Sequence, residues 1–220
     1  MPGAWEQSSF VLCVVLHTDI TSIAWAFGLR NLKIPGQVIG LAGMTYDHAR
    51  NAGAMQALDA GATHVFFLDS DIIPPPDAIL KLLAHNQPII SGLYCRRSPP
   101  VGVPVMQRPP GQWITQYPAN QVIDVDVVGA GCLLIRRDVL EKLPPQRPEA
   151  GKHWFDWRVD TQGCPITNGI PPMSEDFTFC LHAKKMGYPI LVDTSVVCRH
   201  VGLAQSAYQR FEPLDAHVLA

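Results

Sequence analysis

The sequence predicts an α/β fold built on a central, mostly parallel mixed sheet. Apolar runs rich in β-branched residues alternate with helical patterns through the first half of the chain, which is typical of doubly wound sheets. The apolar run His64–Leu68 has the composition of a strand that is buried on both faces. A length of 220 residues suits one large domain, and we predict a single domain over residues 1–220.

The elements of the first half follow one another in regular order. Gly61 comes directly after an alanine-rich helical pattern, as a C-terminal stop signal does. Pro74 opens another helical pattern, because proline is tolerated in a first turn. The expected strands are Phe10–Leu16, Gln37–Leu41, His64–Leu68 and Ile89–Leu93, and the expected helices are Ser22–Leu32, Asp47–Ala60 and Pro74–Ala84.

The second half is less regular. We expect strands at Gln121–Val128, Cys132–Ile135 and Ile190–Val192, and a helix from Ser174 to about Met186. Two irregular segments, 94–120 and 144–172, are long for loops inside a compact domain, and loops of that length are usually functional. The last segment, 203–220, has only weak periodicity and is expected to be a flexible tail or lid.

Composition narrows the expected partner and compartment. The net charge of −2, with acids and bases mixed, lacks the basic surplus of a nucleic-acid-binding domain. We see no signal-peptide pattern and no apolar window of roughly 18 residues, so we expect a cytoplasmic protein without a membrane span. Six scattered cysteines, most within apolar runs and none in a C-x-x-C pair, favour buried free thiols.

The strongest local signal is Asp69-Ser70-Asp71, directly after the buried strand. Ligands of open α/β sheets bind beyond the carboxyl ends of strands. In a turn, both carboxylates can approach one hard divalent cation, and oxygen ligands suit Mg²⁺ or Mn²⁺. An ordinary turn stays open as the alternative, because Asp and Ser favour turns anyway. We predict a metal site here.

Three further clusters contain residues capable of chemistry. Arg50 and Asn51 fall early in a helix whose positive end could face phosphate, although an ordinary solvated first turn is the favoured interpretation of this cluster taken alone. The pair Glu175-Asp176 complements a helix dipole and leaves Asp176 able to act as a general base in a cleft. His200 ends a strand, where a lone histidine is most simply structural.

In this order, the clusters resemble the nucleotide-diphospho-sugar transferases of GT-A fold, especially the large family-2 type. The matching motifs are Ala49-Arg50-Asn51-Ala52-Gly53, Phe67-Leu68-Asp69-Ser70-Asp71, Gly129-Ala130-Gly131-Cys132-Leu133-Leu134-Ile135-Arg136-Arg137, Ser174-Glu175-Asp176-Phe177 and Cys198-Arg199-His200. The resemblance extends from about Phe10 to Gly202. It implies a Rossmann-like three-layer sandwich and metal-dependent transfer of a sugar from a UDP- or GDP-sugar to an acceptor hydroxyl.

The resemblance also implies a role for individual residues. By this resemblance, Asp69, Asp71 and His200 would bind the metal cofactor, Mn²⁺ or Mg²⁺. The residues that would contact the donor are His17, Thr18, Asp19, Arg50, Asn51, Asp69, Ser70, Gly129 and Gly131. Asp176, beside Glu175, would deprotonate the acceptor hydroxyl, and transfer would then invert the anomeric carbon.

The acceptor side is expected to lie with the two irregular segments, because loops on a scaffold usually determine specificity. Trp154 and Phe155, with Trp157 nearby, have aromatic rings that could stack on an acceptor ring. Packing in the core is an equally good interpretation of these rings.

The chain departs from the family pattern in two places. Val15-Leu16-His17-Thr18 replaces the usual start, and Gly40-Leu41-Ala42-Gly43 stands where an acidic residue normally recognises the base, so the donor stays open. The alternatives are a retaining transferase of the same fold, a nucleotidyltransferase, and a non-catalytic sugar- or nucleotide-binding module. The segment His17-Thr18-Asp19-Ile20 lacks the glycine-rich basic loop of nucleotidyltransferases. A nucleic-acid acceptor has no support from the net charge.

Overall fold

A seven-stranded mixed sheet forms the centre of the protein. The computed structural model describes residues 9–17, 21–97, 101–146, 153–157, 173–201 and 210–211. The strands are β1 (Val11–His17), β2 (Gly36–Ala42), β3 (His64–Asp69), β4 (Ile72–Ile73), β5 (Ile89–Leu93), β6 (Met106–Gln107), β7 (Val122–Val125), β8 (Val127–Val128), β9 (Cys132–Arg136), β10 (Ile190–Val197), β11 (Arg199–Val201) and β12 (Arg210–Phe211). The helices are α1 (Ile23–Asn31), α2 (Tyr46–Asp59), α3 (Ala78–Ala84), α4 (Arg137–Lys142) and α5 (Glu175–Lys185).

The strand order in the main sheet is β2-β1-β3-β9-β5-β10-β7. β1 pairs in parallel with β2 and β3, and β5 pairs in parallel with β10. β9 lies antiparallel between β3 and β5, and β7 lies antiparallel to β10 at one edge. The sheet is therefore mixed, with its parallel strands ending at a common edge, as the sequence predicts.

Helices cover both faces of this sheet, which gives three layers. Alternate residues of β1 enter two different cores, because successive side chains of a strand point to opposite faces. Leu12 and Val14 pack in the core shared with α2, α4 and α5, whereas Val11 and Cys13 pack in the core shared with α1 and α3. α2 lies so close to the sheet that a Cβ on Gly53 would come within 2.6 Å of Val14 Cγ1.

Two predicted strands differ from the structure. The segment Gln121–Val128 is two strands, because the Asp126 N–H donates to the Gln107 carbonyl at 2.9 Å and redirects the chain from β10 to β6. The strand Ile190–Val192 continues to Val197 across a register shift. The apolar pattern does not show this continuation, because Asp193, Thr194 and Ser195 are polar. Asp193 is nevertheless buried, with a 2.8 Å contact to His85 Nε2.

A small second sheet brings the end of the chain back to the turn after β3. β4 pairs antiparallel with β11, which sets His200 opposite Ile72, and β12 extends this sheet. Of the expected tail 203–220, only Arg210–Phe211 is described, as β12; the rest of that prediction lies outside the described residues. The irregular segment 144–172 is described only at 144–146 and 153–157.

Two expectations from composition bear on the described residues. Cys13, Cys95, Cys132, Cys180 and Cys198 are buried free thiols, whereas Cys164 lies outside the described part of the chain. Within that part, no helix has both the length and the apolar character needed to cross a bilayer.

The buried His64, at the start of β3, predicts an acid-sensitive fold. Burial, with help from the Arg136 charge, lowers the pKa of His64 from 6.5 to about 4. The unfolded chain therefore takes up this proton below about pH 6.5 while the folded chain does not, and stability is lost as the pH falls towards 4. We expect this residue to account for about 3 kcal/mol of that loss at most, measured by urea unfolding at a series of pH values.

The variant His64→Gln should remove this part of the pH dependence between pH 6.5 and 4. The matched control is His48→Gln, because the His48 side chain is 64% exposed, and it should leave the profile unchanged. A His64→Gln profile that runs parallel to that of the wild type would contradict the assignment.

Candidate functional site

The turn Asp69-Ser70-Asp71 lies at the carboxyl edge of β3 and is held by its neighbours. The Asp69 N–H donates to the Gly131 carbonyl at 3.1 Å, and the Ser70 N–H donates to the Leu16 carbonyl at 3.0 Å. Trp25 Nε1 donates to the Asp69 carbonyl at 2.9 Å. These bonds anchor the turn backbone to β1, α1 and the strand entry before β9. Both aspartate side chains can then line one cavity.

This cavity has a volume of about 260 Å³ and opens over the turn. Its wall contains two acids, two tyrosines, two arginines and a histidine: Asp69, Asp71, Tyr46, Tyr94, Arg96, Arg97 and His200. The opposite charges and the phenol groups make it a polar site with several hydrogen-bond donors that could meet an anionic ligand. Sequence reasoning identified its acids and His200 but missed its tyrosines and the pair Arg96-Arg97.

Asp71 and His200 meet inside the cavity although they are far apart in the sequence. The pairing of β4 with β11, and a 2.7 Å bond from the Val201 N–H to the Asp71 carbonyl, bring them together. His200 Nε2 lies 3.3 Å from Asp71 Oδ2. His200 Nδ1 lies 2.7 Å from the Cys95 carbonyl. A carbonyl can only accept, so Nδ1 donates, and in the neutral ring the lone pair of Nε2 faces the carboxylate.

Arg50 lies beneath the turn as a buried connection between three parts of the chain. Its Nη2 is 3.2 Å from Asp69 Oδ1 and its Nε is 3.0 Å from Glu175 Oε1. Its Nη1 donates to the Ala130 carbonyl at 3.3 Å. All three guanidinium nitrogens thus donate hydrogen bonds to groups of the protein. Arg50 therefore positions Asp69, and its expected place near the nucleotide stays a prediction.

Burial and neighbouring charges have opposite effects on the pKa values of Arg50 and Asp69. Burial favours a lower pKa for Arg50, but Asp69 and Glu175 outweigh it and raise the pKa above its ordinary value. Burial raises the pKa of Asp69, and the charge of Arg50 opposes that rise. The Arg50 guanidinium is consequently charged at every physiological pH, and its removal would leave the buried Glu175 carboxyl and the partly buried Asp69 carboxyl without their counter-ion.

Asn51 fastens the segment that contains Trp154 and Phe155 to α2. Its Oδ1 accepts the N–H groups of Trp154 at 2.8 Å and Phe155 at 3.1 Å, and its Nδ2 donates to the Phe155 carbonyl at 2.7 Å. Trp154 and Phe155 are fully buried, and Phe155 stacks on Phe179 at 4.4 Å. The expected stacking of these two rings on an acceptor is therefore wrong, since they pack in the core. Asn51 is itself buried, and its amide is used by this segment.

Tyr94 explains why glycines flank Ala130. The Tyr94 hydroxyl accepts the Gly131 N–H at 3.0 Å. A Cβ on Gly129 would lie only 2.0 Å from this hydroxyl, and a Cβ on Gly131 would lie 3.0 Å from Asp69 Oδ2. The glycines thus admit Tyr94 and Asp69, whatever their further role toward a donor sugar. The Tyr94 ring also contacts His200 edge to face, with ring centroids 5.8 Å apart.

Asp176 is held at the start of α5, beside these glycines. Its Oδ2 accepts the Ala130 N–H at 3.2 Å, and its Oδ1 accepts the Phe177 N–H at 2.8 Å together with the Ser174 hydroxyl. Its half-buried carboxylate therefore has a defined orientation next to the Asp69 turn. Glu175 is buried and paired with Arg50, whereas Asp176 is only half-buried.

The remaining predicted donor residues are described only in part. Ser70 lines the cavity, and its carbonyl accepts the Thr21 hydroxyl at 2.8 Å. The backbone of His17 ends β1 opposite Ala42. The His17 side chain, Thr18 and Asp19 lie outside the described residues.

The predicted metal ligands are Asp69, Asp71 and His200. Across residues 9–17, 21–97, 101–146, 153–157, 173–201 and 210–211, no group of three or more His, Cys, Asp or Glu side chains has the arrangement of a metal site. Asp71 and His200 nonetheless provide two adjacent donors, while the Oδ1 of Asp69 is turned towards Arg50. Two protein ligands suit a cation that keeps several waters and binds substrate phosphates. Of the two donors, the Asp71 carboxylate is the type that Mg²⁺ and Mn²⁺ prefer, and the His200 imidazole would be a weaker ligand.

Arg96 and Arg97 follow the carboxyl end of β5, at the same edge of the sheet. Arg97 Nη1 lies 2.6 Å from Asp71 Oδ2. The Arg96 guanidinium lies 4.6 Å from the centre of the Trp113 ring, in a cation–π contact. Their position after a central strand was a usable signal, because side chains at this edge converge on the ligand site.

Comparison with known proteins supports the fold. No protein-family model matches the chain, and no curated protein matches it. Among solved structures, A197 from STIV is similar with a TM-score of 0.62 and 16% identity, over 93% of this chain and 92% of that chain. S. aureus TarS 1–349 in complex with UDP-GlcNAc is similar with a TM-score of 0.50 and 13% identity, over 90% of this chain and 61% of that chain.

At these identities the likeness is one of fold alone. The described chain and its solved relatives share an α/β fold with a central mixed sheet flanked by helices, and this prediction from the sequence is confirmed. The chain spans about 61% of the length of the TarS chain.

The buried position of Arg50 predicts a large stability effect. The change Arg50→Met removes the counter-ion of Glu175 and Asp69 and should cost about 3–5 kcal/mol in the free energy of unfolding. The double variant Arg50→Met with Glu175→Gln should recover part of this loss, because one of the two orphaned carboxylates is then neutral. Both are measured by chemical denaturation.

Arg136→Met serves as the matched control. Arg136 pairs with Asp138, and both side chains are about one third exposed, so the loss there should be about 1 kcal/mol or less. Two results would contradict the role of Arg50. One is an equal loss of unfolding free energy in Arg50→Met and Arg136→Met, and the other is a double variant that is less stable than Arg50→Met alone.

Proposed function

We propose that the protein is a metal-dependent glycosyltransferase that moves a sugar from a nucleoside-diphosphate sugar to an acceptor hydroxyl. The observation that carries the proposal is the meeting of Asp71 and His200 in a polar cavity at the carboxyl edge of β3. The resemblance of five sequence motifs to GT-A transferases is in keeping with it. The fold likeness to TarS, whose structure contains UDP-GlcNAc, adds support for a nucleotide-sugar donor.

Asp71 and His200 would hold a Mn²⁺ or Mg²⁺ ion, with Asp69 facing the same space. His200 is oriented for this by the bond from its Nδ1 to the Cys95 carbonyl, the arrangement that typically fixes a metal-binding imidazole. When bound, the ion supplies Lewis-acid stabilisation for the charge that develops on the leaving nucleoside diphosphate. Arg50 would keep Asp69 in place below the donor, through its bonds to Asp69 and Glu175.

Asp176 would act as the general base. Among the described residues, its Oδ1 accepts two hydrogen bonds and its Oδ2 accepts one, from Ala130. Oδ2 would therefore receive the proton of the acceptor hydroxyl. The freed oxygen would attack the anomeric carbon from the side opposite the diphosphate, which inverts that carbon. A positioned base typically contributes about 10²–10⁴-fold to the rate.

The test of this function is calorimetric binding of UDP and of GDP, each with and without Mn²⁺. We expect one nucleotide to bind, to require Mn²⁺, and to lose about tenfold or more in affinity in Asp71→Asn, because the cation loses a charged ligand. Asp77→Asn is the control, since this acid has a 43% exposed side chain and pairs with Lys81 outside the cavity. The proposal would be contradicted if neither UDP nor GDP bound under any of these conditions.

The same protein samples separate the base from the binding site. Asp176→Asn should bind the nucleotide as the wild type does. With water as the acceptor, it should hydrolyse the matching nucleotide sugars about 10²–10⁴-fold more slowly. A retaining transferase needs no base at this position, so an unchanged rate of hydrolysis would assign the protein to that alternative. Binding without hydrolysis in the wild type would favour a non-catalytic module.

A further inference from the structure

Two arginines pair with the two aspartates of the cavity, and they are held very differently: Arg97 lines the cavity, whereas Arg50 lies beneath the turn. Arg50 is buried, with a side chain only 3% exposed, and it pairs with both Asp69 and Glu175. Arg97 is 45% exposed and pairs with Asp71, the one ion-pair partner that the described residues provide for it. Exposed ion pairs contribute little to stability, whereas buried ones are costly to break. Arg97 can therefore leave its partner, and Arg50 cannot.

Arg97 contacts one particular oxygen of Asp71. Its Nη1 lies 2.6 Å from Asp71 Oδ2, and the same oxygen lies 3.3 Å from His200 Nε2. An ion held by both Asp71 and His200 would need the carboxylate that Arg97 now neutralises. A guanidinium and a divalent cation repel each other at such short range. They therefore compete for the same carboxylate oxygen.

We propose that Arg97 is a displaceable counter-ion: it neutralises Asp71 until a divalent cation binds there, and it then binds the diphosphate of the donor. The inference rests on the proposed function, because it needs a divalent cation and a nucleoside diphosphate in this cavity. It assigns a donor-binding role to a residue that the sequence motifs do not include.

The surroundings of Arg97 support its second position. It lines the cavity together with Arg96, and Arg96 is stacked on Trp113 at the cavity wall. A diphosphate that reaches Asp71 and His200 through the cation brings several negative oxygens to this wall. A guanidinium recognises such oxygens through two parallel N–H···O bonds. Arg97, once released, thus meets a new anionic partner within the same cavity.

This exchange makes opposite predictions for the two ligands of the site. Arg97 opposes binding of the cation alone, because it must first give up Asp71. It favours binding of the nucleotide once the cation is present, because it then contacts phosphate. The cation and the nucleotide are therefore coupled through one side chain, and coupling of this kind acts equally in both directions.

The test compares the wild type with Arg97→Met and Arg97→Lys in two titrations. The first measures Mn²⁺ alone, by electron paramagnetic resonance of free Mn²⁺, and the second measures UDP or GDP at saturating Mn²⁺, by calorimetry. In Arg97→Met we expect Mn²⁺ alone to bind about threefold tighter and the nucleotide to bind about tenfold weaker. Arg97→Lys keeps the charge but lacks the planar fork, so it should restore the weaker Mn²⁺ binding and only part of the nucleotide affinity.

Arg30→Met is the matched control. Arg30 is exposed in the last turn of α1 and does not line the cavity, so its loss removes the same charge without effect on either titration. Mn²⁺ affinity that falls in Arg97→Met, or nucleotide affinity that stays unchanged, overturns the role of Arg97 while the proposed function stands. A wild type that binds no Mn²⁺ and needs none for nucleotide overturns the proposed function and the inference with it.

Discussion

The candidate site depends on one buried guanidinium. Arg50, on α2, contacts the end of β3, the Ala130 carbonyl and the start of α5, which lie 19, 80 and 125 residues from it in the sequence. Water does not solvate this charge, so the protein must supply its partners. That requirement fixes Asp69 at the carboxyl edge of β3 and holds α5 against the turn. Asp176, the residue after Glu175, is placed beside Ala130 as a consequence.

Around this fixed group, the site keeps charges that can change partners. Asp71 faces the cavity and contacts both Arg97 and His200. His200 is held from behind by a carbonyl, and Tyr94 packs against its ring. The rigid part of the site thus lies below the turn, and the adjustable part lies on the cavity side. This division suits the proposed binding of an anionic donor and release of an anionic product.

Local pattern was enough to predict much of the fold. The alternation of apolar runs with helical patterns gave correct positions for β1, β3 and β5 and for the helices α1 and α2. These elements bury one face or both, so their periodicity appears in the sequence. The split of Gln121–Val128 and the extension of β10 were missed, because hydrogen bonds from distant segments, rather than apolar spacing, determine them.

The site was predictable only where a motif combined residue type with a place in the fold. Asp69 and Asp71 follow a buried strand, and that position indicates a ligand edge. The burial of Arg50, Trp154 and Phe155 could not be read from sequence, because it arises from contacts with residues far along the chain. Tyr94 was missed for the same reason, since its hydroxyl bonds Gly131, 37 residues away.

The most direct test of this account is a crystal structure with Mn²⁺ and the nucleoside diphosphate that binds. The account predicts an ion held by Asp71 and His200, the Arg97 guanidinium on a phosphate, and Arg50 unmoved between Asp69 and Glu175. An ion bound elsewhere, or Arg97 still paired with Asp71 beside a bound nucleotide, would contradict it.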